Sequence, residues 1–161
     1  MLDSEIKINR FLIQYCRMLL ENIPEERMAE QPLPGVNHPA WILGHLAYSA
    51  NAAVGLLGGE KTLPRKWIVQ FGPGSKLSGS REDYPASSEL LQAIEQGFAR
   101  AHELASVASP EQLSQPNPNA RLAQALRTVG DAVGFLFTGH MGVHLGQLSS
   151  WRRMIGLAAL F

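Results

Sequence analysis

The chain has 161 residues, 14 Lys+Arg against 14 Asp+Glu, five His and one Cys. That length suits one domain, spanning residues 1–161, with a core of its own. The balanced charge excludes a binder of nucleic-acid backbone, which needs a basic surface to displace counterions. A single cysteine excludes an internal disulfide framework and a thiolate-rich metal site. No apolar run approaches the roughly 18–20 residues that span a bilayer. The opening Met1-Leu2-Asp3-Ser4-Glu5 is acidic and lacks the charged-then-apolar layout of a signal peptide, so the expected location is cytoplasmic.

The first predicted helix covers residues 3–22. Ile8, Phe11, Leu12, Tyr15 and Leu19 recur at helical spacing and form its expected buried stripe, and Pro24 follows its end. A Pro-rich connector, Gln31-Pro-Leu-Pro-Gly-Val36, leads to a second helix with Asn37 as N-cap and Pro39 in the first turn, where its missing N–H costs little. This helix runs to about Leu57 and stops at Gly58-Gly59.

Residues 58–87 are rich in Gly, Pro, Ser and charge. Connections of that length in a compact domain tend to be covers or disordered. Because this one carries Trp67, Ile68, Val69 and Phe71, it is expected to pack down over something. Within it, Gly72-Pro-Gly-Ser-Lys76 lacks the full spacing of a phosphate loop and reads as a turn.

A third helix opens at Ser87 or Ser88 with Leu91, Ile94, Phe98, Ala101 and Ala105 on one face, and ends before Pro110. Pro116 and Pro118 keep the following segment extended. The fourth helix starts near Ala120 or at Thr128, where Thr128-Val-Gly-Asp131 fits a capping box. It runs to Ile155, with Gly156 as the stop. No strand-like alternation and no repeat competes with this pattern. Four helices with apolar stripes predict an all-α antiparallel bundle with a long loop between helices 2 and 3.

The histidines carry the chemistry. His140 and His144 are four residues apart, so their imidazoles share a helix face one turn apart and can converge on one ion. On the same helical wheel Val133, Phe137, Gln147 and Trp151 lie within about 60° of His140, which places the pair in the buried stripe. Buried imidazoles need partners, because unpaired buried polar groups are costly. The metallopeptidase form of H-x-x-x-H has Glu after the first His; Met141 stands there instead. His45, on the apolar face of the second helix with Trp41, Ser49, Ala52 and Leu56, is the third candidate ligand. Three imidazoles would leave open positions, as in a catalytic metal site. The alternative is three core histidines bonded to backbone and water.

His38 lies about 10.5 Å before His45 along the axis, too far to share an ion, and reads as a cap or surface residue. His102, beside Glu103, reads as exposed. Cys16 reads as a small core or surface residue, not a nucleophile. Gly139, Gly142, Gly146 and Arg153 form a further face of the last helix, edged by Ser149 and Ser150. Interior glycines each cost about 1 kcal/mol relative to Ala, so something is expected to approach closely: a neighbouring helix or a second subunit.

Trp41-Ile-Leu-Gly-His45-Leu-Ala and His140-x-x-x-His144-Leu-Gly-Gln147-Leu, with Trp67…Phe71-Gly-Pro-Gly-Ser75 and Tyr84-Pro85 between them, resemble the DinB-like superfamily over most of the chain. The resemblance implies an up-down-down-up four-helix bundle, a divalent ion (nickel or zinc) on His45, His140 and His144, and a homodimer. It also implies an enzyme that uses a low-molecular-weight thiol such as bacillithiol, mycothiol or glutathione. Such an enzyme would transfer the thiol to, or isomerise, a small electrophilic substrate. Gln147 could hold a ligand imidazole or a substrate group, Tyr48 and Ser49 lie one turn from His45 as supporting candidates, and the Trp67–Phe71 loop would form a lid. The rival readings are a hydrolase working through activated water, weakened by the lack of a Glu beside the histidines, and a non-catalytic bundle that binds a metal or small ligand.

Overall fold

Alternating steps of three and four residues put Ile6, Asn9, Ile13 and Cys16 on the buried face of α1 (Asp3–Leu20), followed by Leu19. This corrects the predicted stripe. Leu19 is buried and Leu12 and Tyr15 are half-buried, but Ile8 and Phe11 are exposed at 47% and 60%. The face is rotated because its centre is held by a polar residue and a thiol, which a hydrophobicity pattern passes over. The computed structural model describes residues 1–160.

The second helix, α2 (Pro39–Leu56), is capped by His38 and not by Asn37: the Trp41 N–H donates to His38 Nδ1 at 3.2 Å. It is buried almost all round, consistent with a segment rich in Ala and Leu that carries no Asp, Glu, Lys or Arg. It packs against α4 (Ser87–Val107), which buries Leu90, Ile94, Phe98 and Ala101, while the expected Leu91 is only half-buried. The connection between them is structured. It holds the short helix α3 (Arg65–Phe71), whose Trp67 and Phe71 are buried, and a turn at 72–75 closed by the Ser75 N–H on the Gly72 carbonyl.

After α5 (Pro110–Leu113), the last rod is built in three pieces: α6 (Val129–Phe135), a π-helical turn (Leu136–His140) and α7 (Met141–Met154). The capping box is present, with Thr128 and Asp131 each accepting from the other's backbone N–H, and Gly156 ends the rod at φ +86°. This rod packs against α1 and α2. The result is an all-helical four-helix bundle of α1, α2, α4 and α6–α7. Among the described residues no helix is long and apolar enough to cross a membrane.

Candidate metal centre

His45 is fixed from three directions. Its ring stacks on Trp41 one turn before (centroids 4.8 Å apart, planes at 8°) and faces Tyr48 one turn after (5.9 Å, 15°). Trp41 is itself held by Nε1–H donating to Ser75 Oγ at 2.9 Å. His45 Nδ1 lies 2.7 Å from the Phe71 carbonyl. A carbonyl only accepts, so Nδ1 carries the proton and Nε2 presents a lone pair. Gly44 makes this approach possible, since a Cβ there would sit 2.2 Å from the Phe71 ring.

The π-helical turn and α7 supply His140 and His144, whose ring centroids are 4.6 Å apart and lie 5.2 and 4.7 Å from His45. His144 Nδ1 donates to Gln147 Oε1 at 3.1 Å, and that oxygen also accepts from Asn37 Nδ2 at 3.2 Å. The residue expected to cap α2 thus orients the group that orients His144. With Nδ1 protonated, His144 Nε2 is also a free lone pair.

One potential ligand atom from each of the three rings lies within 4.8 Å of the others. His45 Nε2 and His140 Nε2 are 3.3 Å apart. Bonds of about 2.0–2.1 Å at tetrahedral angles put neighbouring ligand atoms about 3.3–3.4 Å apart, so this spacing fits one shared ion. Burial lowers the affinity of all three rings for protons. It pushes His140 to about 3, helped by His144 and His45, and His144 to about 4, helped by His45; His45 is lowered too, against the pull of the Phe71 carbonyl. All three are therefore neutral at pH 7, the form that ligates a metal. The donor set suits a divalent ion and contains no carboxylate.

His140 differs from the other two, because its Nδ1 is buried without a partner among the described residues. Its position comes from the backbone instead. Asn9, fully buried on α1, donates Nδ2–H to the Phe137 carbonyl inside the π-helical turn at 2.7 Å. Asn9 Oδ1 accepts from His102 Nε2 at 2.8 Å. His102 is therefore a buried residue of α4 and not the exposed one its neighbours suggested: burial, with Arg10 adding to it, pushes it down to about 4. The signal for Asn9 was a polar residue in step with Ile6, Ile13 and Cys16.

The other candidates fall near the triad in different ways. Ser49 Oγ donates to the His45 carbonyl at 2.7 Å, bracing α2 and not the imidazole. Phe71 is fully buried, and Trp67 meets it edge-on at 5.8 Å. His38 is a cap, as expected, but fully buried, with Nε2 3.1 Å from the Tyr84 hydroxyl. Cys16 is fully buried, and burial, reinforced by Glu95, raises its thiol to about 12, which leaves it inert.

A sequence model of the DinB superfamily matches residues 10–148. No curated protein is significantly similar in sequence. Among solved structures, the fold is similar to that of YfiT from Bacillus subtilis, described as a probable metal-dependent hydrolase with an unusual four-helix bundle topology. The TM-score is 0.70 at 16% identity, covering 97% of this chain and 88% of that one.

Proposed function

The chain belongs to the DinB superfamily, and from that premise we propose a metal-dependent enzyme acting on a small molecule through one divalent ion, nickel or zinc, held by His45, His140 and His144. The observation that carries this reading is the convergence of three neutral imidazoles, two with their remaining nitrogen already committed to an acceptor. When bound, the ion supplies positive charge that deprotonates a coordinated thiol outright or lowers the pKa of a coordinated water toward about 7.

The chain's residues favour the thiol route. No Asp or Glu lines the cavity beside the triad, so no carboxylate is placed to take a proton from water there. A low-molecular-weight thiol such as bacillithiol, mycothiol or glutathione needs no such base once coordinated, and would attack a small electrophile in a transferase or isomerase reaction. Trp41 and Tyr48 hold the His45 plane, the Phe71 carbonyl and Gln147 set the ring tautomers, and α3 covers one side as the lid candidate. Hydrolysis is the second reading, favoured by what is written of YfiT. A cytoplasmic homodimer belongs to the same proposal. Gly142 and Gly146 face open space, which removes the reading that a helix of the same bundle packs on them.

The test is metal content by mass spectrometry on untagged protein and on a His45/His140/His144 triple-Ala variant, followed by turnover of an electrophilic dye with and without thiol. About one ion per chain in the parent, none in the variant and thiol-dependent turnover support the first reading. Thiol-independent ester hydrolysis would favour the second. No metal in either protein after exposure to nickel and zinc ends the case for an enzyme.

A further inference from the structure

A half-open cavity of about 670 Å³ runs from His45 and His140 along α2. Its floor is the face His45, Ser49, Ala52 and Gly55. The ten helical steps from His45 to Gly55 make that floor about 15 Å long at 1.5 Å per step. Ile68, Leu122, Phe135 and Leu136 supply apolar wall. Several polar side chains along it already have partners: Ser49 bonds to the His45 carbonyl, and Asn117 to the Leu126 carbonyl and the Asn119 N–H.

Lys61 stands at the end away from the triad. Among the described residues it is the only Lys or Arg that lines the cavity, and no Asp or Glu lines it. Among the described residues no carboxylate lies within 4 Å of its ammonium. Its place is built. The Gly59 N–H bonds to the Val54 carbonyl, and the Thr62 and Leu63 N–H groups both donate to buried Asn51 Oδ1, at 3.0 and 3.2 Å, which pins the backbone on either side of it. The aliphatic stem lies across Gly55, where a Cβ would come within 2.9 Å of Lys61 Cδ. A lone cation on a pinned stretch of backbone at one end of an apolar trough, with neutral imidazoles at the other, matches a ligand of opposite polarity along its length.

We propose that this cavity takes an elongated small molecule with an apolar body and a terminal carboxylate or phosphate, and that Lys61 selects the anionic end. Resting on the metal-dependent reading for its reactive end, the proposal deepens it by naming the substrate class. The anion sits about 15 Å from the triad and the reacting group beside it.

The probe is 6-phenylhexanoate against the uncharged 6-phenylhexanamide, with phenylbutyl phosphate as the phosphate arm, titrated calorimetrically into the purified chain, Lys61→Met, Lys61→Arg and Gly55→Leu. The parent is expected to prefer an anion over the amide about two- to fivefold, as for a partly exposed charge pair. Lys61→Met should abolish that preference, Lys61→Arg keep it, and Gly55→Leu weaken it by displacing the stem without altering charge. Lys61 is exposed, so its variants should melt with the parent. A preference that survives Lys61→Met, an equal affinity for anion and amide, or no binding of any probe by the parent overturns the proposal. Metal content read on the same samples separates the two readings. A Lys61-dependent preference in protein that binds no metal would leave the trough assigned and the metal chemistry refuted.

Discussion

Two of the three imidazoles in the triad are fixed through their second nitrogen, and the residues that do so have different standing. The Phe71 carbonyl belongs to a buried helix end, whereas Gln147 is a half-exposed side chain steadied by Asn37. Gln147 is thus the place to weaken the centre without disturbing the core. Gln147→Leu should raise the dissociation constant for the ion about ten- to hundredfold, as loss of such outer partners does elsewhere, with little change in thermal midpoint. Competition against a chromophoric chelator reads the effect, and unchanged affinity would deny Gln147 that role. His38 gives a pH dependence. It accepts the Trp41 N–H as the neutral ring, and burial holds its folded-state value near 4, below the ordinary value near 6.5. The unfolded chain therefore takes up the proton first. Stability is complete above about pH 6.5 and falls as pH drops toward 4, where the added proton would oppose the Trp41 N–H and break the cap. Thermal midpoints at pH 7.5 and 5 should differ, and His38→Asn, which caps without titrating, should narrow the difference.

The π-helical turn is the element that sequence reading could not reach. The His140–His144 spacing, the Thr128 cap, the Gly156 stop and the buried Val133, Phe137 and Trp151 were all legible, because each rests on local geometry or on a 3.6-residue period. One residue too many in a turn leaves no such trace, and the Asn9 that bonds inside it is 128 positions away. The same residue hid the true face of α1. Phe11 and Ile8 outweighed it in any apolar count, although Ile6, Ile13 and Cys16 kept the four-three spacing around it. The histidine triad was readable as a constellation, but Phe71 and Asn37 were not readable as its supports: one acts through a carbonyl and the other through a second side chain. Asn9→Leu should leave the Phe137 carbonyl and the His102 ring without their partner, at about 1–3 kcal/mol for each buried group stranded. We expect a lower thermal midpoint and, in cobalt-loaded protein, an altered visible spectrum as His140 moves. A destabilised variant with the parent spectrum would show that Asn9 serves the core alone.

At the scale of the whole molecule, the outward glycines of α7 concern association. Beyond the local backbone of α7 itself, no described atom lies within 4 Å of a Cβ placed at Gly142 or Gly146, and Val143 between them is 59% exposed. A second copy that uses this face would meet bare helix backbone. Gly142→Leu should then shift sedimentation from dimer to monomer while leaving metal content unchanged. A parent that sediments as a monomer, or a variant that stays dimeric, removes this face as the interface.

The triad also joins distant parts of one chain. His45 and His140 are 95 positions apart, on helices with no short connection between them. An ion shared by the two would close that span into a ring, so the proposed centre would be a reversible cross-link as well as a site of chemistry. Unfolding must either open it or keep the denatured chain looped, and binding at a thousand times the dissociation constant shifts the equilibrium by about 4 kcal/mol. The thermal midpoint should therefore climb with free metal concentration, in step with occupancy. If the proposed ion is bound, the bundle borrows rigidity from the same ion that would perform its chemistry, and a cell short of that ion would lose both together.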